Sequence, residues 1–170
     1  MINPEIEMLD GQVKGIVKYL KPEMIGVEIG SYAGKLTLEI AKICRVTAVD
    51  PFINQYDAVD YTFNSNMREI RNIFLDRIKD KINIIHIEAT SEYTLSQWKG
   101  EIDFLVIDGD HTKEGIEIDK GWLQYLKKGG IVFIHDYSPV FPGIKNFVDN
   151  ELKNKYKELE IIDSLIIFRK

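Results

Sequence analysis

The sequence predicts one doubly wound α/β domain, a mostly parallel seven-stranded sheet with an antiparallel last strand and helices on both faces. Three observations predict it. Short runs rich in Val, Ile, Leu and Phe alternate with longer stretches of helical period, the mark of βαβ units. Most of those runs are nearly continuous in apolar residues, as strands covered on both faces are. The last two runs follow each other with only Asp163-Ser164 between them, too short a link for a parallel crossover.

The elements follow in order. Pro4–Leu20 reads as an N-terminal helix packed on the sheet, and Met24–Ile29 as the first strand. Ala33–Ile43 is a helix, with Leu36, Leu38, Ile40 and Ile43 spaced for a buried face. Arg45–Val49 is the second strand. Pro51–Asn66 is a polar loop carrying Phe52, Tyr56, Tyr61 and Phe63. Those aromatics suit a lid or substrate wall as well as they suit packing onto the domain. Asn66–Asp80 is helical, with Met67, Ile70, Phe74 and Ile78 on one face. Ile82–Ile87, Phe104–Ile107 and Ile131–His135 are strands, and Ser91–Trp98 is a short helix. Lys113–Lys127 is a helix that Lys127, Lys128 and Gly129 should stop. Gly143–Leu152 is a further helix. Leu159–Ile162 and Leu165–Phe168 form the terminal antiparallel pair.

The totals bound the rest. The 170 residues suit one domain, 1–170, and 45% hydrophobic residues supply one core. A formal net charge of -5 disfavours nucleic acid as a partner, since polyphosphate binding draws on a cationic surface. The one cysteine, Cys44, cannot form an internal disulfide and reads as a core residue. With no secretory pattern at the start and no apolar run of membrane-spanning length, the expectation is a cytoplasmic protein without a membrane partner.

The segment Val27-Glu28-Ile29-Gly30-Ser31-Tyr32-Ala33-Gly34-Lys35 joins the first strand to the first helix. Gly30 permits a sharp turn and a close approach to a ligand, and Gly34 close packing of helix on strand. Glu28 is a carboxylate in an apolar strand and needs a partner there. The spacing Glu-x-Gly-x-x-x-Gly departs from the Gly-x-Gly-x-x-Gly that receives a dinucleotide pyrophosphate. A cofactor with an ammonium and a carboxylate, and no phosphates, suits it better. Asp50, 22 residues after Glu28, stands where an acidic residue would accept from ribose hydroxyls; a turn aspartate is the plainer alternative. Ile87-Glu88-Ala89-Thr90-Ser91 ends the third strand where adenine could be contacted. Ser91 with Thr94 reads equally as a helix start.

Together VEIGSYAGK, AVDPF, IEATSE, LVIDGDHTKEG and GGIVFIHDY resemble the class I S-adenosylmethionine-dependent methyltransferases, over residues 24 to 137. Within that Rossmann-like superfamily the chain looks most like the small bacterial macrocin-type sugar O-methyltransferases, relatives of the metal-dependent catechol-type enzymes. In that superfamily the seventh strand inserts antiparallel at one edge of the sheet. The resemblance implies a cofactor set of Glu28, Gly30, Ser31, Gly34, Asp50, Pro51, Glu88, Ala89 and Asp108, with Asp50 on the ribose.

The fourth and fifth strands end in Asp108-Gly109-Asp110-His111 and His135-Asp136-Tyr137, near one crevice. Two aspartates suit Mg²⁺ or another divalent cation, which lowers the pKa of a bound hydroxyl. His111 could then take the proton. By resemblance, Asp108 and Asp136 match metal-ligand positions and His111 the catalytic base, with Asp108 also catalytic. Those relatives carry a third ligand, carboxylate or amide, beside the second aspartate. Here His135 and Tyr137 stand there, and imidazole favours Mn²⁺ or another transition metal. The plainer reading has Asp110 and Thr112 capping the next helix, and Asp136 capping a turn before Pro139. His86, inside a strand, reads as structural. The expected substrate is a small molecule or sugar hydroxyl, with a homodimer completing the pocket. Two alternatives are an NAD-dependent oxidoreductase and a non-catalytic adenosyl-binding module.

Overall fold

The computed structural model describes residues 7–53 and 66–170. The elements are α1 (Asp10–Val17), β1 (Ile25–Ile29), α2 (Lys35–Ala41), β2 (Arg45–Val49), α3 (Met67–Ile78), β3 (Ile84–Ile87) and α4 (Ser91–Gln97). They continue as β4 (Ile102–Ile107), α5 (Lys113–Asp119), β5 (Leu126–Ile134), α6 (Pro142–Phe147), β6 (Lys157–Ile162) and β7 (Leu165–Arg169).

One sheet runs in the order β3-β2-β1-β4-β5-β7-β6. The pairs from β3 to β5 are parallel, and β7 is antiparallel to both of its neighbours. This is the expected class. The antiparallel strand, however, is not at the edge. β7 inserts between β5 and β6, because Leu165 to Phe168 are fully buried. β6, with Lys157, Glu158 and Glu160, takes the edge, where charge resists pairing with another chain.

Strand alternation sends side chains to two cores. Val27, Ile29, Leu105, Ile107, Val132 and Ile134 face α5 and α6. Val46, Phe104, Val106, Ile131 and Phe133 face α1 and α2. Cys44 is in the second core, and burial lifts its thiol to about 11, as an inert packing residue requires. A third cluster sets Phe52 against α3 through Ile70 and Phe74.

Three helix boundaries depart from the expectation. The helix after β4 ends at Asp119 and tightens into a 3₁₀ turn over Lys120–Gln124. Lys127, Lys128 and Gly129 therefore belong to β5. Gly129 does turn left-handed, at φ 82, and its N–H meets the Lys170 carbonyl at 2.7 Å. Lys127 pairs with Asp103 at 2.7 Å instead of serving a helix end. The last helix gives way to a π turn over Val148–Leu152. The N-terminal helix begins at Asp10 within the described residues. Among them, no helix is long and apolar enough to cross a membrane.

Candidate active site

The strand order reverses at β1 and β4, so the loops leaving these strands part and open a crevice at their carboxyl ends. A cleft of about 620 Å³ lies there, within the range of small-ligand sites. Gly30 sits at its floor with φ 83, a left-handed value that glycine adopts without strain. A Cβ on Gly30 would fall 2.0 Å from the Asp108 carbonyl oxygen. Glycine is thus demanded by the close crossing of two strand ends, in addition to any ligand. Gly34 is also left-handed, at φ 85, and makes room for the Phe74 ring of α3 rather than for a strand.

Asp50 ends β2 and lines the cleft. Its Oδ2 accepts from Tyr32 N–H at 2.8 Å and its Oδ1 from Phe52 N–H at 2.7 Å. It ties the loops after β1 and β2 together, and it retains unused lone pairs. Burial raises its pKa, against those backbone donors. Tyr32 and Phe52 both have positive φ, at 46 and 48. Strained backbone of this kind is held by its surroundings and clusters at sites.

Glu28 does not reach the cleft wall. Val27 and Ile29 point toward α5, so Glu28 points to the α2 side, where Thr37 Oγ1 donates to it at 2.5 Å. Burial pushes its pKa up to about 8, Thr37 opposing and the Asp108 and Asp50 charges adding. Thus Glu28 and Asp50 are close enough to interact, but only Asp50 faces the ligand space.

Pro51, Asp108, Asp110, His111 and Asp136 line the cleft; Ser31, Gly34, Glu88 and Ala89 do not. Glu88 turns outward to Arg71, whose Nε lies 2.7 Å from Oε2. Thr90, not Ser91, caps α4, accepting from Tyr93 N–H at 3.2 Å. Ser91 Oγ instead accepts from Trp122 Nε1–H at 2.9 Å, beside Asp119 at the cleft floor. Burial raises the Asp119 pKa to about 7, the Ser91 hydroxyl opposing.

Thr112 caps α5, and Asp110 braces the cap residue from the turn before it. Asp110 Oδ1 accepts from Thr112 N–H at 2.9 Å, and Thr112 Oγ1 accepts from Gly115 N–H at 3.0 Å. This fixes the turn that carries His111. The His111 ring packs edge-on against Phe141 at 4.6 Å, and its Nε2 lies 3.4 Å from Asp136 Oδ2. His135, on the other side of Asp136, sets Nδ1 2.8 Å from Asp108 Oδ1 and 3.4 Å from Asp136 Oδ1. Burial works against its charged form, but the two carboxylates prevail and lift its pKa to about 10. Burial would raise Asp136, and His135 and His111 hold it below the usual carboxylate range. Asp136 itself has φ 55, the third non-glycine residue at the site with a left-handed backbone.

Asp119 escaped the sequence reading, and so did two residues from the ends of the chain. Gln12 of α1 and Ser164 of the β6–β7 turn both line the cleft, and the Gln12 amide donates to Ser164 Oγ at 3.1 Å. No local pattern marks them; only the topology brings positions 152 residues apart together. His86 is structural, as expected, but packed rather than hydrogen-bonded. It sits 4.9 Å from the Phe74 ring and 5.7 Å from Phe52, and burial lowers its pKa. Phe52 is buried against the domain; Tyr56, Tyr61 and Phe63 lie outside the described residues.

The profile of a family described as "Methyltransferase domain" matches residues 27–137, about two thirds of the chain. The chain belongs to this methyltransferase-domain family. Solved structures share its fold. An rRNA methylase from Streptococcus thermophilus aligns with a TM-score of 0.68 at 16% identity, over 100% of this chain and 98% of that one. The SAH-bound methyltransferase PaMTH1 of Podospora anserina gives 0.69 at 15%, over 97% and 80%. A Staphylococcus aureus protein named as a candidate caffeoyl-CoA O-methyltransferase gives 0.64 at 21%, over 98% and 86%. In this methyltransferase domain the matched stretch carries the cleft from Gly30 to Asp136.

Proposed function

We propose that the protein is an S-adenosylmethionine-dependent O-methyltransferase acting on a hydroxyl of a small molecule or sugar. The observation that carries this reading is a single cleft lined by Asp50 after β2, by Asp108 and His111 after β4, and by Asp136 after β5, with His111 3.4 Å from Asp136. When bound, S-adenosylmethionine supplies an electrophilic methyl group on a sulfonium. The residues fit such a cofactor. Asp50 has acceptor capacity left for vicinal ribose hydroxyls, and Ile53, Met67 and Ile118 offer apolar wall for a base. Gly30, Pro51 and Asp108 complete the contacts. Glu28 acts from beneath, holding the start of α2 through Thr37, and Ser31 and Gly34 shape the loop. Glu88 and Ala89 contribute through the backbone leading to Thr90.

His111 accepts the proton of the acceptor hydroxyl. Asp136, 3.4 Å from its ring, stabilises the imidazolium that results. Phe141 orients the ring and shields it from water. Asp108 and Asp136 are the carboxylates that would hold a divalent cation beside the hydroxyl. The candidate caffeoyl-CoA O-methyltransferase among the fold relatives is named for the same class of acceptor. A homodimer, with the second copy closing the cleft, is the assembly this reading expects.

Calorimetry with S-adenosylhomocysteine and with NAD separates this reading from an oxidoreductase; tight NAD binding alone overturns it. A screen of hydroxylated acceptors should then find turnover that His111→Ala lowers by about 10²–10⁴-fold with the cofactor still bound. Unchanged turnover in both His111→Ala and Asp108→Ala would overturn the active-site assignment, whereas cofactor binding with no turnover of any acceptor would leave a non-catalytic adenosyl-binding module.

A further inference from the structure

We propose that Asp119 selects the base of the bound nucleoside: its carboxyl accepts a hydrogen from the exocyclic amino group of adenine, which makes the cleft specific for a 6-aminopurine over the 6-oxo counterpart. The proposal rests on the S-adenosylmethionine reading and adds to it the residue that reads the base.

The first observation is what the acids along the cleft already have. Asp50 takes the backbone N–H groups of Tyr32 and Phe52. Asp108 and Asp136 face His135, and Asp110 takes Thr112 N–H. Glu7 pairs with Arg77 at 3.0 Å, and Glu92 is exposed to solvent. Asp119 differs from all of these. It is 2% exposed, yet it lines the cleft. Among the described residues, no lysine or arginine lines the cleft to neutralise it.

The second observation is how little donor capacity meets its carboxyl. Asp119 ends α5, where the helix tightens into the 3₁₀ turn that carries Trp122. The Trp122 indole N–H donates to Ser91 Oγ at 2.9 Å, which leaves the Ser91 hydrogen for Asp119. One hydrogen serves one of about four acceptor positions on a carboxyl. A buried acceptor without a donor is costly, and a ligand N–H removes that cost. Burial raises the Asp119 pKa to about 7, the Ser91 hydroxyl opposing. Ionised or neutral, the group keeps an oxygen that accepts.

The third is its place. A Cβ at Gly109 would lie 3.3 Å from Asp119 Oδ2, so that oxygen borders bare backbone rather than a side chain. Ile118, its neighbour on α5, forms the apolar wall with Ile53 and Met67. With the ribose on Asp50, a base lies along that wall and its polar edge comes to the pair Ser91 and Asp119. Adenine brings an N–H donor there. Hypoxanthine brings a carbonyl oxygen, and a site built to accept a hydrogen bond rejects a ligand that lacks the donor.

The test is calorimetric binding of S-adenosylhomocysteine and of S-inosylhomocysteine, its 6-oxo analogue, to the full-length protein. The wild type should bind the adenosyl ligand about 10–100-fold more tightly. Asp119→Ala should bring that ratio near unity. Asp119→Asn should bring it to unity or reverse it, because an amide that keeps its oxygen on the Ser91 hydrogen turns NH₂ toward the base. The ratio decides, since a residue that only holds α5 in place would weaken both ligands alike and leave it unchanged. An unaltered ratio in Asp119→Ala overturns the proposal; if that variant fails to fold by circular dichroism, an unaltered ratio in Asp119→Asn does so. A wild type that binds both ligands equally, or prefers the 6-oxo ligand, overturns this proposal alone. A wild type that binds neither overturns the cofactor reading and this proposal with it.

Discussion

Gly30 and Asp108 meet where two strand ends cross, and the contact is specific enough to measure. Alanine at position 30 would meet both a left-handed φ and a backbone oxygen 2.0 Å from its Cβ. The backbone cannot step aside as a side chain can, so Gly30→Ala should cost about 3 kcal/mol or more. Gly129 provides the contrast. Its φ is 82, but nothing lies within 4 Å of an added Cβ. Gly129→Ala should cost only the left-handed strain, about 1–2 kcal/mol. Urea unfolding of both variants separates strain from collision; equal costs would show that the Gly30 crossing is looser than described. Asp50 works by the opposite means, with backbone donors from Tyr32 and Phe52 binding two loops to one carboxylate.

Helix α5 starts one residue after its cap, Thr112, and two after His111. The cap is therefore also a positioning device. Thr112→Ala removes the acceptor for Gly115 N–H, and should cost about 1 kcal/mol of stability. If the cap also aims the His111 ring, turnover should fall while S-adenosylhomocysteine affinity holds. A stability loss without a change in turnover would limit Thr112 to the helix. The β6–β7 hairpin has a comparable double role. β7 covers the flank of β5 with Leu165 to Phe168, and the turn before it carries Ser164 into the cleft. Hence the terminal strands belong to the site as well as to the core. The sequence marked them only as an antiparallel pair.

Across the molecule, buried acids make stability depend on pH. Glu28 is lifted to about 8 and Asp119 to about 7, from 4.5 and 3.8. A raised carboxyl pKa means that the folded state holds more protons than the unfolded one between the two values. Stability therefore falls as pH rises through that window. His135, raised from 6.5 to about 10, acts in the same direction above neutrality. The ligand-free protein should lose urea midpoint steadily between about pH 5 and pH 8. Glu28→Gln should flatten part of that slope, because the amide has no proton to lose. A midpoint that rises over the same range would show that Glu28 is not buried as a neutral acid.

The sequence alone determined the alternation of strand and helix, the antiparallel ending and the strand ends where chemistry collects. These follow from local periodicity and from the cost of burying anything but apolar residues between two layers. It also placed Asp50, Asp108, His111 and Asp136, since polar residues at the carboxyl ends of parallel strands have one crevice to enter. Which face each strand turns to the cleft was decided only by the assembled sheet. Glu28 alternates with Val27 and Ile29, and its neighbours' preference for the α5 core sent it to α2. Gln12 and Ser164 carried no signal at all, because their meaning is a contact between the two ends of the chain. The same holds for β7 inside the sheet rather than at its edge, and for His135 beside two aspartates. Distances between strand ends are a property of packing, and packing is not written in any one segment.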